Sequence, residues 1–357
     1  MQELVEQIRR NCAISDAKFW GYYSICGLLM RYRELYRNEQ GLKPWERIEK
    51  ERITAWIEER ERLWKSLEHE DLQQLVIGGA AIHAFDVNRV NTLLNPSGLV
   101  YGSGYSLFGK PTFFLAELIQ RKEIYDYRVY YAGRELCRDL AASPAMLQGR
   151  CIYIRIEVLE SLLWDKFQEL GPRKQGSVLE EIFSLYGITK EKGAPEEDPA
   201  AIGGKIESMA RDIADLFVLH EIGEAYEDDN SDAWLGFLSV CNDKHCETYT
   251  RGIKDLMADT SEMGPLKTII RNEDAFLLKC YMVFLDGIRK TLFPEIGTAL
   301  RRFNETGDWS TLEHARNEGY RKAGAMKSTL LQLFAKDSGE KGLSAAKDYL
   351  RSTFARA

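Results

Sequence analysis

Apolar residues recur three and four positions apart along most of this chain, the spacing of a helix with one buried face. Residues 1 to about 39 follow that pattern, and Pro44 suits the first turn of a further helix running toward His69. In that segment Glu58-Glu59-Arg60-Glu61-Arg62 reads as a solvated face over Trp56, Leu63 and Trp64. The same period predicts helices over about 202–227, 232–260, 265–292, 309–335 and 343–355. Two stretches depart from it. Asn95-Pro96-Ser97-Gly98 and Tyr101-Gly102-Ser103-Gly104-Tyr105 predict a glycine- and aromatic-rich loop over 95–112. Tyr127 to Ala132 and Cys151 to Ile156 have strand-like composition. The expected fold is mainly α, a multi-helical, bundle-like protein with room for a small β element near 127–156.

The segment from Gly187 to Gly204 lacks an apolar face and holds Pro195 and Pro199, so it reads as a linker over 187–204. It would divide an N-terminal helical portion, 1–186, from a C-terminal helical portion, 205–357.

The apolar stripe changes character at its C-terminal end. Counting 100° per residue, Met209, Ile213, Leu216 and Phe217 fall within about 60° of His220, and Glu224 and Glu227 continue the same face. A face expected to pack therefore carries an imidazole and two carboxylates. Buried carboxylates need a proton, a basic side chain or a metal ion to offset their lost hydration.

His220-Glu221-Ile222-Gly223-Glu224 resembles the H-E-x-x-H helix of zinc metallopeptidases, with Glu in place of the second His. The resemblance covers five residues. It implies His220 and Glu224 as metal ligands and Glu221 as the general base acting on a metal-bound water. Glu227, one turn on, is a further candidate ligand, and His245, on the next expected helix, is the candidate to complete the set. Zinc is the first expectation, with iron or manganese as alternatives. Several carboxylates in a helical setting would also suit a carboxylate-bridged di-metal oxidase, although the usual E-x-x-H pairing is missing.

Other chemistry is thinner. Gly104 to Lys110 matches the opening of a phosphate-binding loop, but Pro111 supplies neither the hydroxyl for Mg²⁺ nor the helix-opening N–H. Nucleotide binding there is not expected. The run Arg134-Glu135-Leu136-Cys137-Arg138-Asp139 reads either as ion pairs on a helix surface or as an anion pocket.

Composition then narrows the class. A formal charge of −7 without a basic stripe argues against nucleic-acid binding, and no run of apolar residues is long enough for a membrane span. The acidic start Met1-Gln2-Glu3-Leu4-Val5-Glu6 is unlike a secretory leader, and seven scattered cysteines read as reduced thiols, so a cytoplasmic protein is expected. The functional expectation is a metal-dependent hydrolase acting on a small-molecule or peptide substrate. The competing expectation is a non-enzymatic, self-associating or partner-binding helical protein, homo-oligomers included. Its interface would be Phe19-Trp20-Gly21-Tyr22-Tyr23 with Trp45, Trp56 and Trp64.

Overall fold

The computed structural model describes residues 2–106, 109–170, 176–189, 198–228, 234, 236–237, 240–241, 244–336 and 340–354. The chain forms two compact units, one of Met1–Gln175 with Phe183–Ala214 and one of Gly176–Ile182 with Asp215–Ala357.

In the first unit, α1 (Gln2–Phe19), α2 (Ile25–Gln40) and α3 (Lys50–Leu67) precede a short hairpin of β1 (Leu75–Ile77) and β2 (Ala80–Ile82), then α4 (Val87–Leu94). A five-stranded sheet follows, with β3 (Leu99–Tyr105), β4 (Pro111–Ile124), β5 (Tyr127–Arg138), β6 (Ala145–Gln148) and β7 (Cys151–Arg155). Its strand order is β3-β4-β5-β7-β6, antiparallel except where β5 runs parallel to β7. Register shifts between β4 and β5 near Leu115, Ala116 and Leu118 add twist, and the sheet curls into a half-barrel. Leu4, Val5, Ile8 and Cys12 on α1 pack into one core cluster with Leu99, Tyr101, Phe113 and Leu115 of the sheet. The α5 helix (Ile156–Gln168) runs directly from β7.

The fold is therefore α+β, with helix dominant, and the β element is much larger than the sequence pattern suggests. The expected loop over 95–112 is mostly strand: Leu99 to Gly104 are buried, and β3 pairs with β4 from Leu99↔Glu117 to Tyr105↔Pro111. Its glycines hid it. Gly102 lies under the ring of Phe114, which a Cβ would strike, so this glycine serves close packing inside a strand. Residues 107–108 of the phosphate-loop match lie outside the described residues. Arg134 to Arg138 belong to β5, so the helix-surface reading of that run is also corrected. Pro44 sits in a turn, and α3 starts only at Lys50.

The α6 helix (Val178–Leu185) and α7 (Pro199–Asp228) each contribute residues to both units. Of the expected linker, 190–197 lie outside the described residues, and Pro199 to Gly204 are the first turns of α7. The second unit continues with α8 (Lys244–Thr260), α9 (Pro265–Arg271), α10 (Ala275–Phe284), α11 (Gly287–Leu292), α12 (Pro294–Thr306), α13 (Trp309–Lys336) and α14 (Glu340–Phe354). The α13 helix packs on α8, α12 and α14. The single helix expected over 265–292 is three, because Asp274 caps a new start by accepting from the Leu277 N–H at 2.9 Å, and Gly287 (φ +52°) turns the chain again.

Cys241 and Cys246 form a disulfide, against the all-thiol expectation, while Cys12, Cys26, Cys137, Cys151 and Cys280 remain thiols. Their Cα atoms lie 6.3 Å apart, a proximity that spacing alone does not reveal. Among the described residues no helix is long and apolar enough to cross a membrane.

Candidate metal centre

The stripe on α7 packs as its period requires. Met209, Ile213 and Leu216 are buried, and the Phe217 ring meets Phe284 edge-on at 5.2 Å between centroids. Inside a helix Gly223 costs about 1 kcal/mol relative to Ala, and the structure shows what it permits. A Cβ there would collide with the Ala258 carbonyl oxygen of α8 and crowd Gly264 just beyond that helix. Two glycines thus let the backbones of α7 and the C-terminal turns of α8 approach closely.

That approach brings His220 against Asp259. Nδ1 of the imidazole lies 2.7 Å from Asp259 Oδ1, while Nε2 faces Glu224 Oε1 at 3.5 Å. Asp259 is itself held: Arg289 Nη1 donates to its Oδ2 at 3.0 Å and the Tyr281 hydroxyl at 3.2 Å. Arg289 is anchored in turn by donating to the Phe284 carbonyl at 2.8 Å. One turn before Asp259, Asp255 joins His220 and Glu224, and one ligand atom from each of the three lies within 4.8 Å of the others. Lys254 reaches Glu224 Oε2 at 3.3 Å.

Electrostatics follow from crowding carboxylates in a half-buried place. Burial and then the charge of Glu224 raise Glu221 to about 8. Burial likewise raises Asp255 to about 6, with His220 opposing and Glu224 adding. Burial acts to raise Glu224 too, but His220, then Lys254 and a hydrogen bond from Asp255, hold it well below the usual carboxylate range. For His220 burial disfavours the charged ring, yet Asp259 and Glu224 outweigh it and lift the imidazole well above its usual value. Lys254, Arg289 and the imidazole of His220 offset the negative charge of these carboxylates.

The donor set suits a divalent metal. One imidazole nitrogen and two carboxylate oxygens match zinc, iron or manganese preferences. Ligand atoms about 2.1 Å from a metal are spaced roughly 3–4 Å from one another, so separations of up to 4.8 Å would need to contract by about 1–2 Å to close on an ion. A carboxylate on Nδ1, where Asp259 lies here, commonly orients a histidine that binds metal through its other nitrogen.

The structure brings together His220 and Glu224, with Glu221 buried beside them, but not the other two expected ligands. Glu227 accepts a hydrogen bond from the Tyr320 hydroxyl at 2.9 Å and is outside the trio. His245 is exposed at the opposite end of α8, its ring beside Tyr249. It precedes Asp255 by ten residues, about 15 Å along a helix, and Asp255 takes the place given to it. The missed signal was the i,i+4 pair Asp255 and Asp259, which puts two carboxylates on one face of α8.

Lys110 of the glycine-loop match is buried between Asp16 (3.0 Å) and Asp139 (3.2 Å), so its charge is already taken. Burial pushes the Cys137 thiol up to about 12, which removes it as a nucleophile.

Two family models match this chain: Family of unknown function (DUF6866) N-terminal domain over residues 3–155, and Family of unknown function (DUF6866) C-terminal domain over residues 160–353. The chain belongs to this family. No curated protein and no solved structure matches it.

Proposed function

We propose that this DUF6866 protein is a divalent-metal-dependent hydrolase whose centre is formed by α7 and α8. The observation that carries the reading is the convergence of His220, Glu224 and Asp255 ligand atoms within 4.8 Å, with His220 oriented from behind by Asp259. These three side chains would hold the ion and leave a coordination position for water, as catalytic zinc sites do. Glu221, buried beside the trio, would take the proton from that water. Zinc is the first choice for a mixed nitrogen and oxygen set; manganese and iron share the donors.

The test is elemental analysis of full-length protein reconstituted with zinc, manganese or iron, followed by a screen of peptide, ester and phosphoester substrates with and without chelator. The reading expects one ion per chain, lost in His220→Ala, and chelator-sensitive turnover. Two ions per chain would favour the di-metal oxidase instead, and no stoichiometric metal would overturn both.

A second reading rests on a different surface. Trp20, Tyr22, Ile25, Leu29 and Met30 are exposed apolar side chains within eleven consecutive residues, which favours self-association or partner binding there. The remaining tryptophans named with them serve the core: Trp64 is buried, Trp56 packs edge-on against Tyr32 and Tyr36, and Trp45 covers Gly203. Light scattering of wild type and Ile25→Asp would test it; a monomer at all concentrations argues against self-association.

A further inference from the structure

The first unit contains a cavity of about 390 Å³, within the usual size of small-molecule sites. It is lined by the end of α2 and the turn after it (Glu34 to Pro44), by β5 (Arg134 to Arg138) and by the start of α5 (Glu157 to Ser161). Arg138 lines it and is buried, 6% exposed. Its charge acts on the nearby Glu34 carboxylate, but its guanidinium makes few hydrogen bonds. Nη1 makes one long contact, 3.5 Å, to Glu135, while Nε and Nη2 have no hydrogen-bond partner among the described residues. Glu135 cannot serve as its full counter-ion, because Arg155 already grips both oxygens of that carboxylate through Nε and Nη2. Nε and Nη2 are the side-on fork of an arginine, whose two parallel N–H bonds fit a carboxylate or phosphate. A buried guanidinium with that fork empty is costly, and an anionic ligand would satisfy it.

A second unpartnered group stands on the same wall. Asn38 Nδ2 donates to the Glu135 carbonyl at 2.8 Å, which tells the amide nitrogen from its oxygen and leaves Oδ1 as a buried acceptor without a hydrogen-bond partner among the described residues. Glu157 also lines the cavity, and one of its oxygens accepts the Glu135 N–H at 2.8 Å. The cavity therefore offers a carboxylate-shaped cationic fork together with an acceptor and an acidic group that want a donor carrying positive charge. That is the recognition pattern of a zwitterion.

We propose that this cavity binds a free α-amino acid, its carboxylate seated on Arg138 Nε and Nη2 and its ammonium received by Asn38 Oδ1 and Glu157. Both fork nitrogens and Asn38 Oδ1 are shielded from water, so seating the ligand requires the guanidinium and the amide to turn toward the cavity that their side chains line. The site is independent of the metal reading, since all its residues belong to the first unit.

The experiment is calorimetric titration of the full-length protein with the individual L-amino acids. Propionate, propylamine and inorganic phosphate serve as carboxylate-only, amine-only and phosphate arms. The proposal expects saturable binding of at least one amino acid with a Kd of about 1 mM or tighter. It expects at least about tenfold weaker binding to the single-charge arms, and a similar loss in Arg138→Lys, which keeps the charge but not the fork. Hydrogen exchange on the wild type needs no variant and should show protection by that amino acid in residues 34–40 and 134–138. Absence of saturable binding across the panel, preference for phosphate, or protection confined to other segments would overturn it.

Discussion

His220 Nδ1 and Asp259 Oδ1 lie 2.7 Å apart across two helices whose backbones are close enough only because residue 223 has no side chain. This pair settles which imidazole nitrogen faces Glu224 and Asp255. With Nδ1 given to Asp259, Nε2 is the atom presented to the trio.

Asp259→Asn tests that orientation without removing a ligand. The amide keeps the size but not the charge, and changing the carboxylate behind a ligand histidine typically weakens metal affinity by about 10–100-fold. Competition titration against a chromogenic zinc chelator should show a loss in that range. An unchanged affinity would remove Asp259 from the centre's design.

Glu221→Gln separates the general base from the ligands. Metal content should stay at the wild-type level while turnover falls by about 10²–10⁴-fold. Loss of metal in this variant would make Glu221 a ligand rather than a base.

Gly223→Ala sets two effects against each other. Alanine gains about 1 kcal/mol of helix propensity, but its Cβ would meet the Ala258 carbonyl oxygen and Gly264. Neither backbone can yield without separating the helices, so net destabilisation of about 1–3 kcal/mol is expected, with weaker metal binding. Urea unfolding with and without zinc measures both. A more stable variant would show that the close approach is dispensable.

Lys110→Met should fail as a nucleotide-site variant and succeed as a stability variant. Removing the cation between Asp16 and Asp139 strands two buried carboxylates, a loss of about 3–5 kcal/mol for a broken buried pair. Wild-type protein should show no saturable ATP binding by calorimetry.

Glu157 supplies a pH prediction. Burial, then the charge of Glu135, raises it from 4.5 to about 7 in the folded chain. A carboxyl whose folded pKa is raised favours the native state fully below its unfolded pKa, and that contribution is lost as pH rises through the folded value. Wild-type stability should therefore fall between pH 4.5 and about 7 by an amount on the order of 2 kcal/mol that Glu157→Gln does not lose. Melting curves of both proteins at pH 5 and pH 8 check it; parallel curves would contradict the shift.

Periodicity within one helix is a local property, and it was enough to show that His220 and Glu224 continue the face on which Met209, Ile213 and Leu216 are buried. Most helices of the second unit were legible for the same reason, apart from breaks set by a cap at Asp274 and a turn at Gly287, and apart from Pro294–Thr306, which no expected helix covered. The partners were not legible. Which turn of α8 meets His220 depends on where Gly223, Ala258 and Gly264 allow backbone contact, so Asp255 and Asp259 are there and His245 is not. The strand over Leu99–Tyr105 was hidden because Gly102 answers to the Phe114 ring on a neighbouring strand rather than to its own sequence neighbours. Arg134 to Asp139 likewise carried charge without a period. Only sheet pairing decided that Arg155 takes Glu135 and leaves the Arg138 fork empty, since competition for a buried counter-ion is settled by residues distant in the chain.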